Sequence, residues 1–188
     1  EYALTTAFDI STASFTDAFS VASQEAVMTS LAFSPDGTKM FITGNTGNSI
    51  YAYTLTTGFD VSTASYTNSF SLAAQGTGPR GVTFNTTGTK MFVVTSSTDE
   101  VDEYALSSAF NVTTASFTRS FSVASQDTNP QGLIFNADGT NMFLVGQAGQ
   151  DVNKYALTTA FDISTASFAD NFSVASQDTS PKSIAFNS

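Results

Sequence analysis

EYALTTAFDISTASF (Glu1–Phe15) returns as AYTLTTGFDVSTASY (Ala52–Tyr66), as EYALSSAFNVTTASF (Glu103–Phe117) and as KYALTTAFDISTASF (Lys154–Phe168). Tyr2, Tyr53, Tyr104 and Tyr155 are therefore equivalent, and so are Phe33, Phe84, Phe135 and Phe186, at a constant step of 51 residues. A fixed period of this size marks stacked supersecondary units, as in a solenoid, propeller or array. One such unit cannot bury its own apolar faces, so it is repeated until its neighbours bury them.

Working outward from the refrain, each unit divides into four short strand-like segments. In the first complete unit these are Ser30–Phe33 (a), Lys39–Gly44 (b), Ile50–Leu55 (c) and Tyr66–Leu72 (d). SPDGT (Ser34–Thr38) is a turn whose Asp-Gly tolerates positive φ, and NTGNS (Asn45–Ser49) is a polar loop. Turn signals recur and no sustained helical period is present. Four strands per repeat predict an all-β fold of β-propeller-type blades, about 3.7 repeats of 51 residues with both chain ends inside a blade. The expected division is a partial blade over 1–29 (strands c, Tyr2–Leu4, and d, Phe15–Val21), blades over 30–80, 81–131 and 132–182, and the start of another over 183–188, with a strand at Ile184–Phe186. Strands b and c should be apolar on both faces, as MFIT and MFVV are. Strand d should be an exposed edge, its polar insertions being Asp17, Asn68, Arg119 and Asp170. Phe8 and Ile10 with their equivalents are expected as apolar plugs beneath each blade, and Asp9 with the following Ser and Thr as local backbone acceptors. A terminal blade without strand b predicts further blades from more copies of the chain or from a longer parent, so that oligomers or filaments are expected.

The run FSPDGTKMFITG (Phe33–Gly44) with the following IYAYTL resembles the repeat of the bacterial surface propellers named for a Tyr-Val-Thr-Asn motif. It is also similar to the wider set with a Ser-Pro-Asp-Gly turn between the first two strands. The refrain itself resembles Phe-Asp-Val-Ser-Thr-Ala repeats of phage and environmental bacterial structural proteins. The resemblance covers strands a to c of every unit and implies the propeller fold. The FDISTAS insert between c and d is the departure from it, and no activity attaches to it.

Composition excludes several chemistries. The chain has no Cys, no His and no Trp, so a disulfide framework, a thiolate metal site and a Ser-His-Asp triad are all ruled out. A formal charge of −10, from 16 acidic and 6 basic residues, argues against nucleic acid and anionic membranes. No apolar run is long enough for membrane insertion. The Ser/Thr/Asn-rich surface suits an extracellular, cell-surface or virion address. Lys39, Lys90, Lys154 and Lys182 have no Ser placed beside them by the sequence. The acidic run Asp99, Glu100, Asp102 could hold Ca²⁺ through hard oxygen ligands, but alternation along a strand would point its members to opposite faces. Asp36-Gly37 and Asp138-Gly139 are turn chemistry.

The d-to-a junction varies against a constant frame. Thr29, Arg80, Gln131 and Lys182 occupy one slot there, on the predicted rim of the central channel, and are the candidate ligand-binding residues. Asn85, Asn111 and Asn171 lie in N-x-S/T sequons and are glycosylation candidates. The leading expectation is a non-catalytic structural or adhesive module, with a lectin-like propeller binding a glycan or protein ligand next and a lactonase-like propeller last.

Overall fold

The computed structural model describes residues 1–186. β1 (Tyr2–Leu4) and β2 (Ala13–Phe15) form a two-stranded sheet. Three four-stranded antiparallel sheets follow. The first comprises β3 (Met28–Phe33), β4 (Lys39–Gly44), β5 (Ser49–Leu55) and β6 (Ala64–Ser71). The second comprises β7 (Pro79–Phe84), β8 (Lys90–Thr95), β9 (Glu100–Leu106) and β10 (Ala115–Ser122). The third comprises β11 (Pro130–Phe135), β12 (Asn141–Gly146), β13 (Asp151–Leu157) and β14 (Ala166–Ser173). Spatial order follows chain order in each sheet. The first strands β3, β7 and β11 lie side by side, whereas the fourth strands diverge. That convergence is the radial arrangement of propeller blades.

The two middle strands of the second sheet are buried because both faces meet a neighbour. Phe41 and Ile50 of the first blade pack with Met91, Val93 and Tyr104 of the second, while Phe92, Val94 and Val101 on its other face pack with Leu133, Met142 and Tyr155 of the third. Tyr53, Tyr104 and Tyr155 lock this packing with a polar tip: each buried phenol donates to Gln24, Gln75 or Gln126, 3.2–3.3 Å away on the junction preceding its blade. Burial pushes the Tyr53 hydroxyl up to about 12 and keeps all three phenols neutral donors.

The refrain has a physical role in every blade. Its Phe adopts positive φ (Phe59 64°, Phe110 54°, Phe161 54°), and its N–H donates to the carbonyl of Gly37, Gly88 or Gly139 in the turn between strands a and b. The ring then lies on that glycine, where a Cβ would overlap it. The glycine is thus required twice, for its own positive φ and for the ring above it. A three-residue 3₁₀ turn follows at Ile10–Thr12, Val61–Thr63, Val112–Thr114 and Ile163–Thr165, capped by Asp9, Asp60, Asn111 and Asp162, whose side chains accept from the residue two ahead. The turns at Val112 and Ile163 wedge against β6 and β10, the outer strands of the preceding blades.

Several expectations need correction. Val112 and Ile163 are fully buried plugs, but Phe8 and Ile10 are 71% and 86% exposed, because no outer strand among the described residues stands where β6 and β10 stand. The first two-stranded sheet ends its outer strand at Phe15 rather than Val21, since three-residue β1 offers no ladder beyond it. Ile184–Phe186 forms no strand: among the described residues no partner pairs with it. Asn187 and Ser188 lie outside the described residues. Strand d is not simply an exposed edge, because a bulge in each outer strand turns Asn68 and Arg119 toward the next blade. Among the described residues no helix is long and apolar enough to cross a membrane.

Candidate functional site

The innermost strands each carry a bulge at their first turn, between Met28 and Ser30, Pro79 and Gly81, and Pro130 and Gly132. The extra residues are Thr29, Arg80 and Gln131, three of the four predicted rim residues. A bulge re-aims a side chain without changing the rest of the ladder, so residue identity can vary there at little cost to the sheet. The inner strands touch at this level. Thr29 Oγ1 donates to the Pro79 carbonyl at 2.8 Å and bonds Thr43 Oγ1 at 3.0 Å. Gly81 closely faces the Gln131 carbonyl, and Gly132 the Lys182 carbonyl. Thr29, Arg80, Gln131 and Lys182 therefore form one arc along the end of the inner strands.

They are not equally available. Lys182 is exposed and Arg80 half-buried, its Nε donating to Ser96 Oγ at 3.3 Å. Gln131 is buried at 4% exposure, with Nε2 donating to Asn129 Oδ1 at 2.7 Å, so it buttresses the arc rather than standing free in it. Thr29 is held at both sides by the bonds above.

Two buried carboxylates beneath the arc escaped sequence reasoning. Glu25 accepts from the backbone N–H groups of Val27 (2.8 Å), Thr46 (3.1 Å) and Gly47 (2.9 Å). Asp127 accepts from Asn129 (2.6 Å) and Gly149 (2.9 Å) at the equivalent place. Each ties the loop between strands b and c to the rim junction. Burial raises the Glu25 carboxyl, but its backbone donors outweigh that and hold it below the ordinary carboxylate range. The repeated acid after Ser-Gln (Glu25, Asp127, Asp178) is the signal that could have revealed them.

The acidic run is scattered. Asp99 sits in the β8–β9 turn at φ 54°, and Glu100 begins β9. Asp102 is fully buried facing the first blade, where Thr95 Oγ1 and Ser120 Oγ donate to it at 2.9 and 2.8 Å. Burial pushes its carboxyl above the ordinary range. Among the described residues no group of three or more acidic side chains is placed to hold a metal. Of the sequon residues, Asn85 closes a turn with Thr87 and Thr89, Asn111 caps a 3₁₀ turn, and Asn171 is exposed on β14.

A second polar cluster joins the second and third blades. Lys90 Nζ lies 2.8 Å from Glu103 Oε1 and donates to the Phe161 carbonyl at 2.6 Å. Arg119 pairs with Asp162 at 2.6 Å and approaches Glu103 at 3.8 Å, and Glu103 Oε2 accepts from the Ile163 N–H at 3.3 Å. Lys90 is thus committed to a carboxylate and a carbonyl rather than to a serine. The sequence showed these residues but not their convergence, since they come from three strands and a turn of two blades.

No protein-family model and no curated protein matches the chain. Solved structures do match. A propeller described as a 6-phosphogluconolactonase candidate from Bacteroides uniformis superposes with TM-score 0.57 at 15% identity, covering 77% of this chain and 40% of that one. The periplasmic gluconolactonase of Pseudomonas aeruginosa gives TM-score 0.53 at 18% identity, over 76% of this chain and 38% of its own. The hydrazine synthase of Kuenenia stuttgartiensis gives 0.57 at 14%, over 90% and 42%. The chain thus spans about two-fifths of the length of the propellers it matches. At these identities the likeness is one of fold. It nevertheless corrects the leading expectation of a non-catalytic structural or adhesive module, because the matched propellers include named lactonases, the reading the sequence had ranked last. By fold, then, this chain is a set of β-propeller blades.

Proposed function

We propose that this chain contributes blades to a lactonase-like propeller that binds a sugar lactone, or the sugar acid it yields, at the rim of its inner strands. The observation that carries the reading is the arc: two cationic side chains, Arg80 on a bulge and Lys182 at the equivalent repeat position, in a chain whose net charge is −10. A planar guanidinium suits a carboxylate or phosphate bidentately, and an ammonium adds a point charge. Gln131 and Thr29 hold the backbone beneath them. Hydrolysis would add water at the lactone carbonyl and break the ring C–O bond, giving the hydroxy acid. Arg80 could polarise the carbonyl and Lys182 hold the anionic end. The remaining blades of the ring would come from further copies or from a longer chain. Exposed Tyr2, Phe15 and Phe172 on the two end sheets support such neighbours. An extracellular address is part of the same reading, supported by the Ser/Thr-rich composition.

The test is calorimetric titration with gluconate and 6-phosphogluconate, alongside hydrolysis of the matching lactones. Replacing Arg80 and Lys182 with Thr, the residue of the first repeat, should abolish binding with an unchanged circular dichroism spectrum. Equal affinity in this variant would remove the proposal.

A further inference from the structure

The three inter-blade clefts are built from equivalent positions, and one of them lacks a piece. Between the second and third blades the piece is the Glu103 carboxylate, held by Lys90, by Arg119 and by the Ile163 N–H. Between the two-stranded sheet and the first blade, Glu1 serves likewise, accepting from the Val61 N–H at 3.0 Å. Between the first and second blades the corresponding residue is Ala52, so among the described residues no side chain takes the Val112 N–H there. The surroundings change in step. Lys39 keeps the place of Lys90, but Asn68 replaces Arg119 and Asn111 replaces Asp162. The complete cleft holds two cations and two anions. Its counterpart holds one cation and no anion at these four positions.

The missing volume is real space. Lys39, Phe41, Ala52, Asn68, Phe110 and Asn111 are among the residues around a cleft of about 270 Å³. Lys39 Nζ has no ion-pair partner among the described residues. Asn68 Oδ1 is buried with no hydrogen-bond partner among the described residues. An unpaired cation asks for an anion, and an unpaired buried acceptor asks for a donor.

We propose that the cleft between the first and second complete blades binds a small hydroxy-carboxylate, whose carboxylate stands where the Glu103 side chain stands in the neighbouring cleft. The carboxylate pairs with Lys39, and the hydroxyl donates to Asn68 Oδ1. A single negative charge neutralises the cleft, as the internal pairs do next door. The site lies toward the opposite end of the blades from the Arg80–Lys182 arc, because Lys39 opens β4 where the inner strands end. It stands whether or not the arc binds a sugar acid.

Glycolate is the probe, titrated by calorimetry and by the amide resonances of Val112 and Asn68. Saturable binding is expected, with acetate, which lacks the hydroxyl, about five- to tenfold weaker because Asn68 Oδ1 stays unpaired. Neutral glycolamide should not bind. At ten times its dissociation constant, glycolate should raise Tm by about 3–6 °C. Ala52→Glu restores the internal carboxylate and should weaken glycolate at least about tenfold, as should Lys39→Met, which removes the charge partner. Lys39→Met keeps the test decisive if the first variant fails to fold. No saturable binding, acetate binding as tightly as glycolate, or affinity unchanged in Lys39→Met would each overturn the proposal.

Discussion

Ile10 and Ile163 occupy the same place in the identical stretch TTAFDISTASF, so any difference between them arises from tertiary structure alone. Ile163 is fully buried and Ile10 is 86% exposed. Replacing Ile163 with Ala removes three buried carbons, worth about 2.4 kcal/mol in transfer free energy. A cavity term follows, because the wedge is fixed on both sides by backbone and relaxes little, bringing the loss to about 3–4 kcal/mol. Ile10→Ala should stay within about 0.5 kcal/mol, as surface substitutions do. The assay is urea unfolding followed by tyrosine fluorescence and circular dichroism. A loss of about 3 kcal/mol lowers the urea midpoint by roughly 1–3 M. It also lowers Tm by roughly 6–12 °C in a chain of this size. Blades contact only their neighbours, so hydrogen exchange should quicken at β10 and β13 before β3. Equal losses at Ile10 and Ile163, or a loss below about 1 kcal/mol at Ile163, would refute the inter-blade wedge.

Gly139→Ala combines positive φ with overlap of the Phe161 ring and should cost about 1–3 kcal/mol; adding Phe161→Ala should recover the steric part in a double-mutant cycle. Asp102 is buried and its carboxyl is raised, so the folded state holds a proton that the unfolded state releases. The Asp102 contribution to stability is therefore full below the ordinary Asp range and is lost as pH rises through the raised value, so Asp102→Asn should gain most relative to the parent at neutral pH and least in acid, read from the Tm difference against pH. Tyr104→Phe should lose about 0.5–1.5 kcal/mol by leaving Gln75 without its donor, measured by the same urea titration. Sedimentation should show association of the chain through its end sheets, and a non-associating, well-folded monomer would count against the proposed neighbouring blades.

The period, the four strands per unit and the need for glycine at the Asp-Gly turn were legible in the sequence, because each depends on residues close along the chain. So was the apolar character of both faces of strands b and c. The asymmetries between clefts were also written there, as Ala52 against Glu103 and Asn68 against Arg119, but they carried no meaning until distant residues were brought together. Lys90, Glu103, Arg119 and Asp162 meet only because blade packing sets the outer strand of one repeat against the 3₁₀ turn of the next. Sequence placed Thr29, Arg80, Gln131 and Lys182 in one slot, yet only burial and hydrogen bonding separate exposed Lys182 and half-buried Arg80 from the sequestered Gln131. Burial decides the rest: the same isoleucine is a surface residue at position 10 and a core residue at position 163, since hydrophobic stabilisation depends on what covers a side chain and not on its neighbours in the chain.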